Sequence, residues 1–399
     1  MNETPSASRT HIGFFGRRNT GKSSLLNAVA GQDLAIVSEL KGTTTDPVSK
    51  AMELLPLGPV VIIDTPGIDD EGVLGEERVR RTKRVMNRID AAVLVTEAGS
   101  PPCGAEEELA ALFREKGIPC LAARNKCDLL NGPPPLCGDD EIFVSARAGT
   151  NISLLKERIA AMVPSGDGER IVGDLVSPLD FVVLVVPIDK AAPKGRLILP
   201  QQQTIRDLLE AGAIAVTVKE YELKYTLENL GRKPRMVITD SQVFARVSAD
   251  TPRDIPLTSF SILFARYKGF LDSAVKGVKR LDSIGSGDRV LVCEGCTHHR
   301  QCDDIGTVKI PRWIKEYTGG APDFVFTSGA DFPSDLSPYK LVIHCGGCML
   351  NGREMRFREK CAADQNVPMT NYGILIAFMQ GILKRSLSLF PYILEELED

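Results

Sequence analysis

The sequence predicts an α/β protein built from an N-terminal nucleotide-binding domain followed by two smaller parallel-sheet α/β domains. First, an apolar strand at 11–15 runs into a glycine-rich loop and then into a helix-forming segment. Second, the continuous apolar run at 181–186 is typical of a strand buried on both faces, and helical segments alternate with strands around it. Third, the apolar strands at 289–292 and 341–343 end at cysteine or histidine residues. The expected domains are 1–165, 166–275 and 276–399.

Composition excludes several classes of function. Apolar residues make up 43% of the 399 residues and charged residues 25%, which is ordinary for a soluble globular protein. The net charge of -4 gives no sign of the excess positive charge that binds nucleic acid or an anionic membrane. No apolar run is long enough to span a bilayer, and residues 1–10 lack the pattern of a signal peptide. Ten cysteines without a secretion signal indicate a reducing compartment, so we expect a cytoplasmic protein.

The glycine-rich loop has the pattern G-x-x-x-x-G-K-S between a strand and a helix, which is the context expected of a phosphate-binding loop. Gly16 and Gly21 allow backbone N–H groups to converge on phosphates, and the helix that starts at Ser24 adds the positive end of its dipole. Lys22 is expected to reach the β- and γ-phosphates. The Ser23 hydroxyl is expected to bind Mg²⁺.

A second apolar strand, 60–63, leads into Asp-Thr-Pro-Gly. Asp64 stands at the strand end, where its carboxylate can hold Mg²⁺ through water. Gly67 can offer its backbone N–H to the γ-phosphate. The combination with the phosphate loop predicts a nucleoside triphosphate site.

The base of the nucleotide is predicted from Asn125-Lys126-Cys127-Asp128, which follows the strand 119–123. A carboxylate only accepts hydrogen bonds, so Asp128 can bind both guanine N1–H and the exocyclic amine, a pair that adenine does not present. Ser145 and Ala146 fit the loop that donates a backbone N–H to the guanine carbonyl. The nucleotide is therefore expected to be GTP.

These elements resemble the translation-factor-like GTPases, and within them the tRNA-modifying and ribosome-assembly group with Gly-Thr-Thr-x-Asp in the first switch. That segment is Gly-Thr-Thr-Thr-Asp at 42–46, so the resemblance makes Thr44 the second hydroxyl ligand of Mg²⁺. Ile68 stands where Ras-like enzymes carry the glutamine that orients water, so hydrolysis must be slow or helped. The resemblance implies K⁺, held partly by Asn19. An arginine from a partner, or a loop-stabilising role for Asn19, are the alternatives.

The middle domain contains no histidine and no cysteine, so a structural or dimerising role is expected. Its segment 187–201 is rich in Pro, Lys and Gly and follows a buried strand. Loops after parallel strands often carry function, although composition alone favours an ordinary basic connection.

Soft metal ligands are concentrated in the last third of the chain, in Cys293-Glu-Gly-Cys296-Thr-His298 and His344-Cys345-Gly-Gly-Cys348. Thiolates select zinc or iron–sulfur clusters. Two C-x-x-C pairs suggest structural zinc, but the gap between them is much longer than the roughly 15–20 residues of zinc ribbons. Zinc and an iron–sulfur cluster both remain open.

The order Cys296-x-His298 and then His344-Cys345-x-x-Cys348 resembles the FeFe-hydrogenase maturation GTPases, the HydF family. The resemblance extends over the whole chain, although the 45 residues between the two histidines are at the short end of the family spacing. It implies a 4Fe-4S cluster held by Cys296, Cys345 and Cys348 with an exchangeable fourth position. The candidates for that position are His298, His344 and the partner subunit's Asp189. Cys293 would be a bystander here and a ligand in a zinc site.

The resemblance further implies a dimeric scaffold and carrier whose cargo is a diiron precursor. Two radical-SAM maturases would take part in making the precursor, and apo FeFe-hydrogenase would receive it, with GTP acting as a switch ligand. The alternative from another class is an RNA-processing or ribosome-assembly GTPase with a structural zinc site. The acidic composition stands against that alternative.

Overall fold

The computed structural model of the chain describes residues 5–31, 48–67, 82–135, 137–163, 170–188, 197–295, 304–329 and 331–398. The chain divides into two compact units, Met1–Asp167 and Gly168–Asp399. Among the described residues, no helix combines the length and the apolar character needed to cross a membrane.

The first unit contains a six-stranded sheet with the order β2-β3-β1-β4-β5-β6. All neighbouring strands are parallel except β2 and β3, which pair antiparallel. The strands are β1 Thr10–Phe15, β2 Val48–Leu54, β3 Gly58–Asp64, β4 Ala91–Glu97, β5 Cys120–Asn125 and β6 Glu141–Phe143. The described part of this unit includes the α-helices Lys22–Ala30, Gly104–Glu115 and Ile152–Met162.

Side chains of the central strands pack on both faces of this sheet. Ile12 and Phe14 of β1 belong to one apolar cluster, whereas Phe15 belongs to a second cluster on the opposite face. Phe15 meets Phe113 of the helix Gly104–Glu115 edge to face, with 5.0 Å between ring centroids. Two covered faces explain why β1 is almost continuously apolar. Because β1, β3 and β5 are parallel, the loops that follow them emerge at one edge of the sheet.

The second unit contains two four-stranded sheets, in which every strand pair is parallel, with the orders β10-β9-β7-β8 and β12-β11-β13-β14. The strands are β7 Phe181–Val185, β8 Ile214–Val218, β9 Met236–Thr239, β10 Leu257–Ser259, β11 Arg289–Glu294, β12 Asp323–Ser328, β13 Leu341–His344 and β14 Met369–Asn371. The helices of its described part are Leu199–Glu210, Leu223–Asn229, Phe244–Asp250, Phe260–Tyr267, Leu271–Val278, Ile310–Thr318, Gly352–Asp364, Tyr372–Met379, Leu383–Ser386 and Pro391–Glu398.

One apolar core is shared by both sheets of the second unit. The helix Tyr372–Met379 packs against the helices Phe260–Tyr267 and Leu271–Val278, and six of its eight residues are buried. Gly277 lies so close to β14 that a Cβ would stand 2.1 Å from the Met369 carbonyl oxygen. The predicted division of this unit at residue 275 falls within the helix Leu271–Val278, and it stays a prediction. The three sheets confirm the predicted α/β class.

Candidate functional site

A cleft of about 660 Å³ opens at the edge of the first sheet where β1 and β3 end. Its lining comes from the glycine-rich loop, from the segment after β3 and from the loop after β5. The lining residues are Arg18, Asn19, Gly21, Lys22, Ser23, Ser24, Asp64, Thr65, Pro66, Gly67 and Lys126. The structure therefore brings three of the predicted nucleotide-binding segments to one place.

The two glycines of the loop are required by close contacts as well as by their backbone conformation. Gly16 has φ +144°, and a Cβ there would lie 2.2 Å from the Val95 carbonyl oxygen. Gly21 has φ +86°, and a Cβ there would lie 2.4 Å from the side-chain nitrogen of Asn125. Any larger residue would displace the loop from β4 or from the loop after β5.

Lys22 begins the helix that follows the loop, and its side chain is buried. The ammonium donates to the carbonyl oxygens of Gly16 at 2.9 Å and Arg17 at 2.6 Å. Thr20 also donates its hydroxyl to the Arg17 carbonyl oxygen, at 2.9 Å. The loop is thus held in a compact ring around the lysine, next to the N–H groups of the first helical turn that bind anions.

Ser23 and Asp64 are arranged for a hard divalent cation. The Ser23 hydroxyl donates to Asp64 Oδ2 at 2.7 Å. Asp64 Oδ1 is buried and accepts no hydrogen bond from the described residues. Mg²⁺ is bound by such oxygen groups with several retained waters, so the pair fits this cation. The predicted second hydroxyl, Thr44, lies outside the described residues.

The Asn125 side chain joins two of the loops around the cleft through hydrogen bonds. Its amide nitrogen donates to the Thr20 carbonyl oxygen at 2.9 Å, and its amide oxygen accepts from Ala146 N at 3.1 Å. The side chain is buried, so it joins the phosphate loop to the loop after β6. The sequence had suggested that this residue helps to select the base, and the joining role was missed because its partners lie 105 and 21 positions away.

Of the other residues of the predicted base loop, Cys127 is buried, Lys126 is partly exposed and Asp128 is exposed. Asp128 is exposed, and its Oδ1 accepts from the Ser145 hydroxyl at 2.6 Å. Lys126 has φ +64° and forms an ion pair with Glu97 at 2.5 Å. Asp128 is thereby oriented while its carboxylate remains accessible to a base.

Glu106 is a further residue of this site that the sequence analysis missed. Its carboxylate is buried and accepts from Arg17 Nε at 2.9 Å and from Cys103 N at 3.0 Å. Arg17 belongs to the phosphate loop, so the ion pair fixes this loop to the helix Gly104–Glu115. The sequence carries a weak signal, because a glutamate at the third helical position often caps a helix N-terminus.

A second candidate site lies where β11 and β13 end. The two strands are adjacent, with Cys293 paired to His344, so the segments that follow them lie side by side. Cys345 Sγ accepts from Gly295 N at 3.0 Å and from Gly347 N at 3.3 Å. Burial raises the pKa of the Cys345 thiol to about 11, and the two N–H donors act in the opposite direction. Such donors stabilise a thiolate, which is the form that binds metals.

Cys348 follows Cys345 after a turn in which Gly347 has φ +61°. The Cys348 thiol is partly buried, and burial raises its pKa. The remaining predicted ligands, Cys296, His298 and Asp189, lie outside the described residues. Within the residues that the structure describes, no three ligand side chains are grouped around one point.

His344 is fully buried, with both ring nitrogens in hydrogen bonds. Nδ1 lies 2.7 Å from the Cys345 carbonyl oxygen, and Nε2 lies 3.0 Å from Arg358 Nη1. Burial first, and then the Arg358 charge, lower the His344 pKa to about 3. The imidazole is therefore neutral, with Nδ1–H donating and Nε2 accepting. Binding a metal through Nε2 would require Arg358 to move, and the predicted ligand role of His344 stays a prediction.

Cys293 is fully buried within β11, and Thr327 donates its hydroxyl to the thiol at 3.3 Å. Burial raises its pKa to about 12, so it remains a thiol. Nearby, the Tyr372 hydroxyl is buried with no hydrogen-bond partner among the described residues. Burial and the neighbouring Cys345 and Glu294 raise its pKa well above 10. An unpaired donor beside thiols is suited to a sulfur-rich anionic group, so the donor set fits an iron–sulfur cluster.

Comparison with protein families gives three matches along the chain. Residues 171–269 match the model "Hydrogen maturase F dimerization domain", and residues 272–389 match "Hydrogen maturase F tetramerization domain". Residues 11–126 match the model "50S ribosome-binding GTPase". The first two models together account for more than half of the chain.

Individual relatives that match part of the chain are GTPases. The tRNA modification GTPase MnmE of Xylella fastidiosa (strain 9a5c) is 37% identical over 168 residues, which cover 42% of this chain and 37% of that protein. GTPase Der of Sulfurimonas denitrificans is 34% identical over 128 residues, which cover 31% of this chain and 26% of that protein. The chain spans about a third of the length of these curated relatives.

Among solved structures, Aquifex aeolicus Era bound to GDP and aluminium fluoride has 18% sequence identity and a TM-score of 0.33, covering 55% of this chain and 98% of that one. The G domain of the Thermotoga maritima iron transporter FeoB has 19% identity and a TM-score of 0.31, covering 39% and 98%.

Proposed function

The chain belongs to the hydrogen maturase F family of hydrogenase maturation GTPases, and on this premise we propose that it is a scaffold and carrier for a diiron precursor. The matched family models confirm the resemblance that the Cys/His motif suggested. The first unit is a P-loop GTPase domain that acts on GTP with Mg²⁺. The proposal adds a 4Fe-4S cluster in the second unit, a diiron cargo, and delivery to apo FeFe-hydrogenase. The arrangement around Cys345, with two N–H donors on its sulfur, is the observation that carries it.

In the first unit, each residue has a defined task toward GTP. Lys22 exchanges its carbonyl partners for β- and γ-phosphate oxygens, while the N–H groups of the loop and of Ser24 bind the same phosphates. Ser23 and Asp64 would hold Mg²⁺, the carboxylate through water, and Thr44 would provide the second hydroxyl ligand. Gly67 donates its N–H to the γ-phosphate. These interactions place positive charge where negative charge develops during hydrolysis.

The guanine base is selected by Asp128. The Ser145 hydroxyl orients its carboxylate, which then accepts from guanine N1–H and from the exocyclic amine. Lys126 borders the cleft, and Asn125 and Ala146 hold the base loop against the phosphate loop.

Because Ile68 cannot orient water as a glutamine would, hydrolysis needs help from another group, and K⁺ held partly by Asn19 would supply positive charge beside the phosphates. Asn19 lines the cleft in a left-handed conformation, φ +65°, which presents its exposed side chain beside the phosphates. We expect GTP hydrolysis by the full chain to be faster in KCl than in NaCl at equal ionic strength, and Asn19→Ala to remove the difference. Equal rates in the two salts would exclude K⁺ from this site.

In the second unit, Cys345 and Cys348 together with Cys296 would hold the cluster. The fourth position would be left to an exchangeable ligand, for which His298, His344 and the partner subunit's Asp189 are the candidates. When bound, the cluster supplies an iron with a replaceable ligand, to which a diiron fragment can attach. The chain keeps the thiolates bound through N–H donors to sulfur and provides the buried Tyr372 hydroxyl beside them.

Assembly into oligomers follows from the two matched domains of the second unit. We propose a homodimer as the working form, in a reducing cytoplasm, with two radical-SAM maturases as sources of the cargo. GTP changes the affinity for these partners and for the apo-hydrogenase. The tRNA modification GTPase matches 42% of this chain and supports the nucleotide chemistry, whereas the models that match residues 171–269 and 272–389 are those of hydrogen maturase F and favour the maturation role over the RNA-processing alternative.

The decisive experiment measures iron, acid-labile sulfide and zinc after anaerobic reconstitution of the full chain. We compare the wild type with Cys296→Ala and Cys293→Ala, and with Cys361→Ala as a control thiol in the helix Gly352–Asp364. Four irons per chain, lost only with Cys296, would support the proposal. One tightly held zinc that requires both Cys293 and Cys296 would establish the structural-zinc alternative.

A further inference from the structure

A buried lysine lies under the loop that carries Cys345 and Cys348. Lys268 follows the helix Phe260–Tyr267, and its side chain is 3% exposed. Its ammonium donates to the carbonyl oxygen of Leu350 at 2.5 Å and to that of Gly347. The two carbonyls lie on either side of Cys348, so a single charged group spans the turn that sets the position of this thiol.

The surroundings of this ammonium are unusual for a lysine. In the described part of the chain, no carboxylate forms a salt bridge with it, and its other close neighbour is the face of Phe264, 5.8 Å away. Burial lowers the pKa of Lys268 to about 8, whereas the nearby Cys348 and Cys345 thiols act to raise it. A buried charge is costly even when it donates to carbonyl groups, and a negative group beside it would offset that cost.

The thiolates of a bound cluster are such a group. Two or three thiolates bring negative charge to the turn, and a fixed ammonium beside them offsets it in a medium of low polarity. Fixed positive charge near an iron–sulfur cluster favours its reduced form, because net charge and hydrogen bonding set the reduction potential.

We propose that Lys268 is the positioning residue of the cluster loop, fixing residues 347–350 through two carbonyls and supplying the positive charge that offsets the cysteine thiolates. The lysine belongs to the segment matched by the dimerization model, 171–269, and the loop to the segment matched by the tetramerization model. It therefore connects the two halves of the second unit at the thiols. The charge role depends on the proposed iron–sulfur cluster, whereas the anchoring role does not.

The anchoring role is tested on the full chain without iron, by backbone hydrogen exchange of the peptide that covers residues 345–350. Lys268→Met removes the donor and the charge at similar length. Lys276→Met is the matched control, since Lys276 is exposed on the next helix. We expect exchange of the loop amides to accelerate at least tenfold in Lys268→Met and to stay unchanged in Lys276→Met. Equal exchange in both variants would overturn the anchoring role.

The charge role is tested after reconstitution with iron and sulfide, by spectroelectrochemical titration. Lys268→Met and Lys268→Gln should both shift the midpoint potential to more negative values, with Lys276→Met at the wild-type value. An unshifted potential in Lys268→Gln would overturn the charge role. Folding of each variant is checked by Trp313 fluorescence, and Lys268→Gln replaces Lys268→Met in both tests if Lys268→Met does not fold. A wild type that holds no cluster would refute the proposed function, while the iron-free exchange data would still decide the anchoring role.

Discussion

Removal of the Asn125 side chain gives the sharpest test of how the nucleotide cleft is held together. The amide makes a buried hydrogen bond to Thr20 O at 2.9 Å and a partly buried one from Ala146 N at 3.1 Å. A buried group left without its partner costs about 1–3 kcal/mol. Asn125→Ala leaves the Thr20 carbonyl without a partner at about 1–3 kcal/mol and the less buried Ala146 N–H at about 1 kcal/mol. We therefore expect the joined loops to lose about 2–4 kcal/mol, which corresponds to about a 30- to 1,000-fold weaker affinity for GDP.

The affinity is measured by equilibrium titration with a fluorescent GDP analogue and repeated with the xanthosine analogue. Because the contacts of Asn125 join the two loops, Asn125→Ala should weaken both nucleotides by the same factor. Asp128→Asn should behave differently, since an amide presents a donor where guanine also presents one. That variant should lower the preference for GDP over the xanthosine analogue.

Asn27→Ala is the matched control, because Asn27 is an exposed asparagine of the same unit whose amide oxygen accepts from Lys50. It should change the affinity less than about twofold, as most surface substitutions do. A dissociation constant for Asn125→Ala within twofold of the wild-type value would refute the joining role. A selective loss of GDP binding would instead assign Asn125 to the base.

Three further changes test other parts of the structure. Lys22→Ala should abolish GTP hydrolysis, measured by phosphate release. It should leave the second unit folded, as reported by the fluorescence of Trp313, the only tryptophan of the chain. Altered fluorescence would contradict independent folding of the two units. His11 is buried, and burial with the Arg88 charge lowers its pKa from 6.5 to about 4. Between these pH values the unfolded chain binds more protons than the folded chain. The free energy of opening β1, measured by amide hydrogen exchange, should therefore fall by about 3 kcal/mol in total as the pH falls from 6.5 toward 4. His11→Gln should remove that dependence. Arg358→Met breaks the buried ion pair with Glu354 and should lower the free energy of unfolding of the second unit, measured in urea, by about 3–5 kcal/mol. Arg312→Met breaks an exposed pair and should lower it by less than about 0.5 kcal/mol. Similar values for the two variants would show that burial of the Arg358 pair contributes little.

In the nucleotide site, the residues that act within one short segment could be predicted from the sequence, and those that act through distant partners could not. The phosphate loop could be predicted residue by residue, because Gly16, Gly21, Lys22 and Ser23 act through their own backbone and a short side chain within one strand–loop–helix unit. The contribution of Glu106 could not, since its partner Arg17 lies 89 positions earlier. Only the packing of the helix Gly104–Glu115 beside the sheet brings the two together.

The thiol site shows the same division. Cys345 and Cys348 stand three positions apart with two glycines between them, and Gly347 adopts the left-handed conformation, φ +61°, that a glycine permits. Nothing in the sequence near Lys268 or Arg358 indicated that these residues reach the turn or His344. Their roles depend on the order of the strands and on two helices that pack against it, and Lys268 lies 79 positions before Gly347.

By itself, then, the sequence determined the α/β class, the phosphate loop and the family to which the chain belongs. These features depend on contacts between residues close together in the chain, and such contacts follow from residue type and spacing. Only the tertiary structure decided that Asn125 joins loops, that Glu106 fixes Arg17 and that Lys268 lies under the thiols. Burial gives these polar side chains their importance, and burial depends on which distant segments pack together.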